Sequence, residues 1–153
     1  MSILDDILSK DPHRIWAASG AIRHLRDKQE LSVLIARLDD IKLATRDVAL
    51  GGALRPNSSH LDFAIRKLEF LKRSDECLCA LYPMDDLYNP ADEAKAGYVE
   101  IEATVLDDAK WVDYYVCRCA FCDRHYRVEE REYHYWWWKW SLMLADGESR
   151  RAT

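Results

Sequence analysis

WVDYYVCRCAFCDRHYRVEEREYHYWWWKWSLML, residues 111–144, decides how this chain is read. It holds three of the five cysteines and five of the six tryptophans. Strand side chains alternate with period two, so Val112, Tyr114 and Val116 share one face while Trp111, Asp113, Tyr115, Cys117 and Cys119 share the other. Residues Ala120 to Asp123 supply a turn, and a second run extends from about Tyr126 to Leu144, with one bulge or bend in a strand that long. In its even register stand Val128, Glu130, Glu132, His134, Trp136, Trp138 and Trp140; Trp137 belongs to the odd register. A large indole removes roughly 150–250 Å² from water when buried. The Trp136, Trp138 and Trp140 ladder is therefore expected to face the helices of the N-terminal half. Trp137, on the opposite side, is left for a second layer or a partner.

Cys119 and Cys122 form a CxxC within the turn, and Cys77 and Cys79 form a CxC earlier. Paired thiolates at these spacings suit tetrahedral zinc, whereas a redox CxxC normally opens a helix that lowers the thiol pKa. The expected ligand set for a structural zinc is Cys77, Cys79, Cys119 and Cys122, with Cys117, His125 or His134 as replacements. Packed free thiols, which are among the most buried side chains, and redox or nucleophilic chemistry are the competing readings.

Upstream, apolar residues recur at helical spacing. Asp11 and Pro12 mark one helix start, with Ile15, Ala18, Ile22 and Leu25 inward and Arg14 and Arg23 nearer water. Asp27 and Glu30 match a capping box before Leu31, Leu34, Ile35 and Leu38. Asp40 is expected to cap a third helix ended by Gly51 and Gly52, and Ser59 with Asp62 a fourth, carrying Leu61, Ile65 and Leu68 inward and Arg66, Lys67, Lys72 and Arg73 toward solvent. The segment Glu76 to Pro83 reads as a short strand, followed by an irregular acidic stretch with Asp85, Asp86, Asp92 and Glu93. Val99, Ile101, Ala103 and Val105 alternate with Glu100, Glu102 and Thr104, and Asp107 and Asp108 turn this strand toward Trp111.

The run from Ile15 to Leu71, above all LIARLDDIKLATRDVALGGAL at residues 34–54, resembles HEAT repeats, which are stacked helical hairpins of roughly 40 residues. That resemblance implies antiparallel helix pairs and a protein-binding surface. The expected fold is α+β: HEAT-like antiparallel helix pairs over residues 11–73 packed on an antiparallel β-sheet over residues 76–144, within one domain spanning 1–153.

With 153 residues, 49% hydrophobic and 32% charged, the chain suits one folded core. Its formal net charge of −5 disfavours non-specific phosphate binding and suits a basic protein partner. No signal-like leader or apolar stretch of roughly 20 residues is visible, which together with the odd cysteine count suggests a reducing cytoplasm. No GxGxxG, phosphate-binding lysine loop or GxSxG elbow occurs, and the histidines match no hydrolase motif. The expected function is a non-enzymatic protein-binding module, with Asp85, Asp86, Asp92, Glu93 and Trp137 meeting a basic partner. Small acidic bacterial immunity proteins, which neutralise a cognate toxin, are similar in size and charge. A zinc-containing enzyme or a nucleic-acid-binding factor near Cys119 is the alternative.

Overall fold

The computed structural model describes residues 2–52 and 55–144; residues 53 and 54, the end of the stretch 34–54 that carries the expected HEAT resemblance, lie outside the described residues. The chain is α+β and divides into two compact units, Met1–Glu76 and Cys77–Thr153.

In the first unit, local chemistry sets most helix starts. Ser2 and Asp5 form a reciprocal capping box for α1, Ile3–Ile7. Asp11 accepts from His13 N and Arg14 N to start α2, Pro12–His24, and Asp27 accepts from Glu30 N to start α3, Lys28–Ala36. Two expected caps are absent. Helix α4, Leu38–Thr45, begins directly after Arg37 without a side-chain cap, and Asp40 instead pairs with Arg37 at 2.6 Å. The apolar stripe Leu34, Leu38 and Ile41 runs through the α3–α4 junction, so the chain need not leave helical geometry long enough for a capping residue. Helix α5, Ser58–Arg73, also starts without a side-chain cap, and Ser59 Oγ donates back to Pro56 O. Gly51 and Gly52 lie beyond the end of α4, in the loop before α5. At Gly52, φ is +115° and a Cβ would collide with Arg55 O, so the loop demands glycine there.

Helix α5 packs against α2, α3 and α4, while α1 rests on α2 and α4. Ile7, Ile15, Ile22, Leu34, Ile41 and Leu68 are at the centre of this core. Two cations expected at the surface are buried with it. Arg23 sits beside His60 Nδ1 at 3.0 Å and over the Phe63 ring. Lys67 is 2% exposed, and its Nζ donates to the carbonyls of Ile22, Arg23 and Leu25 at 2.7–3.0 Å. It thereby serves the carboxyl end of α2, where the last carbonyls run short of helical donors and Ile22 O accepts also from Leu25 N at 3.2 Å.

The second unit is built on an antiparallel meander in the order β1-β2-β3-β4: β1 Val99–Leu106, β2 Val112–Cys119, β3 His125–Tyr133 and β4 Tyr135–Leu142. Asp107 Oδ1 accepts from Ala109 N and Trp111 N and closes the first turn. The long run expected from Tyr126 onward is instead a hairpin, because His134 adopts a left-handed φ of 66° and pairs Tyr133 with Tyr135. A single residue at the apex preserves parity, so Val128 faces Trp140, Glu130 faces Trp138 and Glu132 faces Trp136 across the two strands.

Before the sheet come a 3₁₀ helix, Leu78–Met84, and α6, Pro90–Lys95, capped by Asn89. The expected strand at Glu76–Pro83 is thus replaced by a tight helix, with Ala80 N donating to Cys77 O. The 3₁₀ helix contacts β4, and α6 contacts β1. Tyr82 stacks on Trp140 with centroids 4.1 Å apart and meets Tyr88 and Tyr126 edge-on. Of the expected tryptophan ladder, Trp140 is therefore buried within its own unit, whereas Trp136 remains 47% exposed. None of the described helices is long and apolar enough to cross a membrane.

Candidate metal centre

Cys119 ends β2, where its side chain shares the inward face with Cys117. The following turn, with Asp123 at a left-handed φ of 64°, brings Cys122 back over the strand end. Cys77 and Cys79 flank the first residue of the 3₁₀ helix. Had they lain on a strand, as expected, their Cα atoms would stand about 6.6–6.8 Å apart. Curling the chain allows both thiols to converge on the hairpin turn.

The four sulfurs lie within 4.8 Å of one another, with Cys77 Sγ 3.6 Å from Cys119 Sγ and Cys79 Sγ 3.5 Å from Cys122 Sγ. Zinc–thiolate bonds of about 2.3 Å in a tetrahedron place neighbouring sulfurs about 3.8 Å apart. The cluster matches that size. It can hold a zinc ion with all four positions taken by cysteine, and the four cysteines are those singled out in the sequence. The proposed replacements stay outside: Cys117 is buried elsewhere on β2, His125 Nε2 pairs with Glu102 at 2.8 Å, and His134 occupies the β3–β4 apex.

The surroundings suit sulfur anions unevenly. Burial pushes the Cys77 and Cys79 thiols upward, and burial with the nearby Glu102 charge pushes Cys117 to about 12. Burial acts against the Cys119 thiolate too, but hydrogen bonds from the backbone of Phe121 and Cys122 and from neighbouring thiols outweigh it and bring its pKa down. Tyr126 donates its hydroxyl to Cys79 Sγ at 3.2 Å. Such outer partners orient metal ligands and offset their charge. Tyr126 was not legible as part of the site, because only the β2–β3 pairing of Cys117 with Tyr126 brings it there.

The expected partner-binding residues differ in their exposure. Asp85 and Asp86 are half-buried, and Asp86 O accepts from Trp138 N on β4, the last strand of the sheet. Asp92 is exposed in the first turn of α6. Glu93 is 5% exposed and accepts from Tyr82 Oη at 2.8 Å, so it serves the core and is withdrawn from the expected surface set. Trp137 is half-buried, opposite Arg131 on β3.

No family model, curated protein or solved structure matches this chain.

Proposed function

We propose that the chain is a non-enzymatic protein-binding module whose second unit is held by a structural zinc. The observation that carries this reading is the convergence of Cys77, Cys79, Cys119 and Cys122 into one group. A metal surrounded by four protein thiolates has no open position for water or substrate, which is the pattern of structural rather than catalytic zinc. The ion would tie the 3₁₀ helix to the β2–β3 turn across 42 and 43 residues of sequence.

The partner reading draws on exposed rings. Trp111, Phe121, Tyr133 and Trp136 are all well exposed, and such aromatic anchors commonly dominate protein interfaces. With the net charge of −5, they favour a basic protein, and inhibition of a cognate protein by occlusion is the corresponding mechanism.

Two measurements test these linked claims. Protein purified without chelator should contain one zinc per chain by elemental mass spectrometry; absence of zinc overturns the metal reading. A partner captured from the native cell should, when both proteins are purified, form a saturable complex by calorimetry. Substrate turnover by the isolated chain, without such a complex, overturns the non-enzymatic reading.

A further inference from the structure

The inward face of the sheet changes character along its length. Near the 3₁₀ helix it carries Tyr126, Val128 and Trp140, all buried. Two pairs farther toward His134, the same face offers Glu130 opposite Trp138 and Glu132 opposite Trp136. Two hollows open there, sharing Glu130 and Trp136. One is about 300 Å³, lined by Asn89, Glu130, Trp136 and Trp138. The other is about 560 Å³ and reaches Trp111 and Glu132.

Glu130 lines both hollows and is held in place. Its Oε1 accepts from Trp138 Nε1 at 2.9 Å and Tyr115 Oη at 3.1 Å. These neutral donors fix the carboxylate without cancelling its charge. The nearby Arg131 is engaged by Asp113 and Glu129, and no cation among the described residues pairs with Glu130. Trp136 and Trp138 stand two residues apart on one strand face, about 6.6–6.8 Å between backbone positions, the separation that two parallel rings need to hold one flat group.

We propose that the slot formed by Trp136, Trp138 and Glu130 receives an arginine side chain from a protein partner. The proposal rests on the protein-binding reading and names the chemistry of its anchor. A guanidinium is planar and weakly hydrated, stacks on indoles, and presents a fork to a carboxylate. Lysine lacks that plane and carries a more strongly hydrated charge. Asp107, Asp113 and Glu132 line the adjoining hollow together with Arg131, which Asp113 and Glu129 engage, so carboxylates outnumber cations there and the potential around the entrance is negative. That potential disfavours a nucleic-acid backbone.

The test uses the full chain with ¹⁵N-labelled tryptophan and the probe acetyl-Gly-Gly-Arg-Gly-Gly-amide. The arginine peptide should shift the indole resonances of Trp136 and Trp138 saturably. Replacing arginine by uncharged citrulline, or introducing Glu130→Gln, should weaken binding about tenfold, as expected on losing a charge-assisted hydrogen bond. Lysine should bind more weakly than arginine, and Trp136→Ala, at an exposed position, should reduce the response without altering the fold. Equal binding of citrulline, shifts confined to other tryptophans, or no shift at millimolar peptide overturns the proposal. Metal content and binding of the captured partner are measured on the same samples. A partner complex that survives Trp136→Ala and Glu130→Gln unchanged leaves the protein-binding reading standing and removes this anchor alone.

Discussion

Lys67 Nζ donates to the Leu25 carbonyl at 2.7 Å, and to two further carbonyls at the same helix end. A buried ammonium placed there acts as a tertiary cap on α2, where its charge also meets the negative end of the helix dipole. Lys67→Met keeps much of the aliphatic volume but leaves buried acceptors without their donor. The expected cost is about 2–4 kcal/mol in urea unfolding. A loss below about 0.5 kcal/mol, the ordinary range for a surface change, would show that these bonds contribute little.

The tryptophans should divide sharply in their effect on stability. Trp140 is 2% exposed, stacks on Tyr82 and donates its indole N–H to Tyr88 O at 2.9 Å. Trp140→Ala is expected to cost about 3–5 kcal/mol, as for other large-to-small core changes. Trp136→Ala, two residues away, should stay within about 0.5 kcal/mol. Equal losses from the two substitutions, measured by chemical denaturation, would contradict the division of this sheet face into a roofed and an open end.

What could be seen in the sequence follows how local each cause is. Asp11 and Asp27 accept from backbone N–H groups two or three residues later in the helices they cap, so their spacing discloses them. Lys67 could not be distinguished from Arg66 or Lys72 by pattern alone, because its acceptors lie 42 to 45 residues upstream. The four cysteines are legible as one group through their ligand chemistry, although the CxC segment reads as a strand and folds as the start of a 3₁₀ helix. The sequence suggests a bulge or bend in the run from Tyr126 onward but not a full reversal, because His134 carries none of the usual glycine or Asn-Gly signal for a left-handed backbone. Even so, alternation correctly put Glu130, Trp136 and Trp138 on one face. Their partial exposure depends on where the 3₁₀ helix and its following segment cover that face, and no local period records this.

Tyr115 supplies a test at alkaline pH. Burial first, then the charge and hydrogen bond of Glu130, raise its phenol to about 12 from an ordinary value of 10. Below pH 10 the phenol is protonated in both folded and unfolded chains, so its full stabilisation is present. Between pH 10 and 12 the unfolded chain ionises first, and this stabilisation falls away as pH rises through the folded value. Tyr115→Phe should therefore be less stable than the parent by about 1 kcal/mol at pH 8, with the gap narrowing toward pH 12. A gap that widens over that interval would contradict the proposed coupling to Glu130.

The five cysteines provide the final separation, because Cys117 has the burial of a ligand without the geometry of one. Cys117→Ala removes a thiol 0% exposed on the inward face of β2, yet leaves the four clustered sulfurs intact. Zinc stoichiometry should remain one per chain, with a stability loss of about 1 kcal/mol or less from the small volume change. Cys79→Ser should abolish stoichiometric zinc, since hydroxyl oxygen replaces a thiolate donor in a four-ligand site. It should also destabilise the second unit by about 2–4 kcal/mol, comparable to loss of a covalent staple across a loop of this length. A chelator should lower the melting temperature of the parent and Cys117→Ala but leave Cys79→Ser almost unchanged. The chelator response matters more than the serine variant's stability alone, because cavity damage would lower Tm without removing metal dependence. Retained stoichiometric zinc in Cys79→Ser, or a chelator effect of the same size in all three proteins, would exclude this four-cysteine centre.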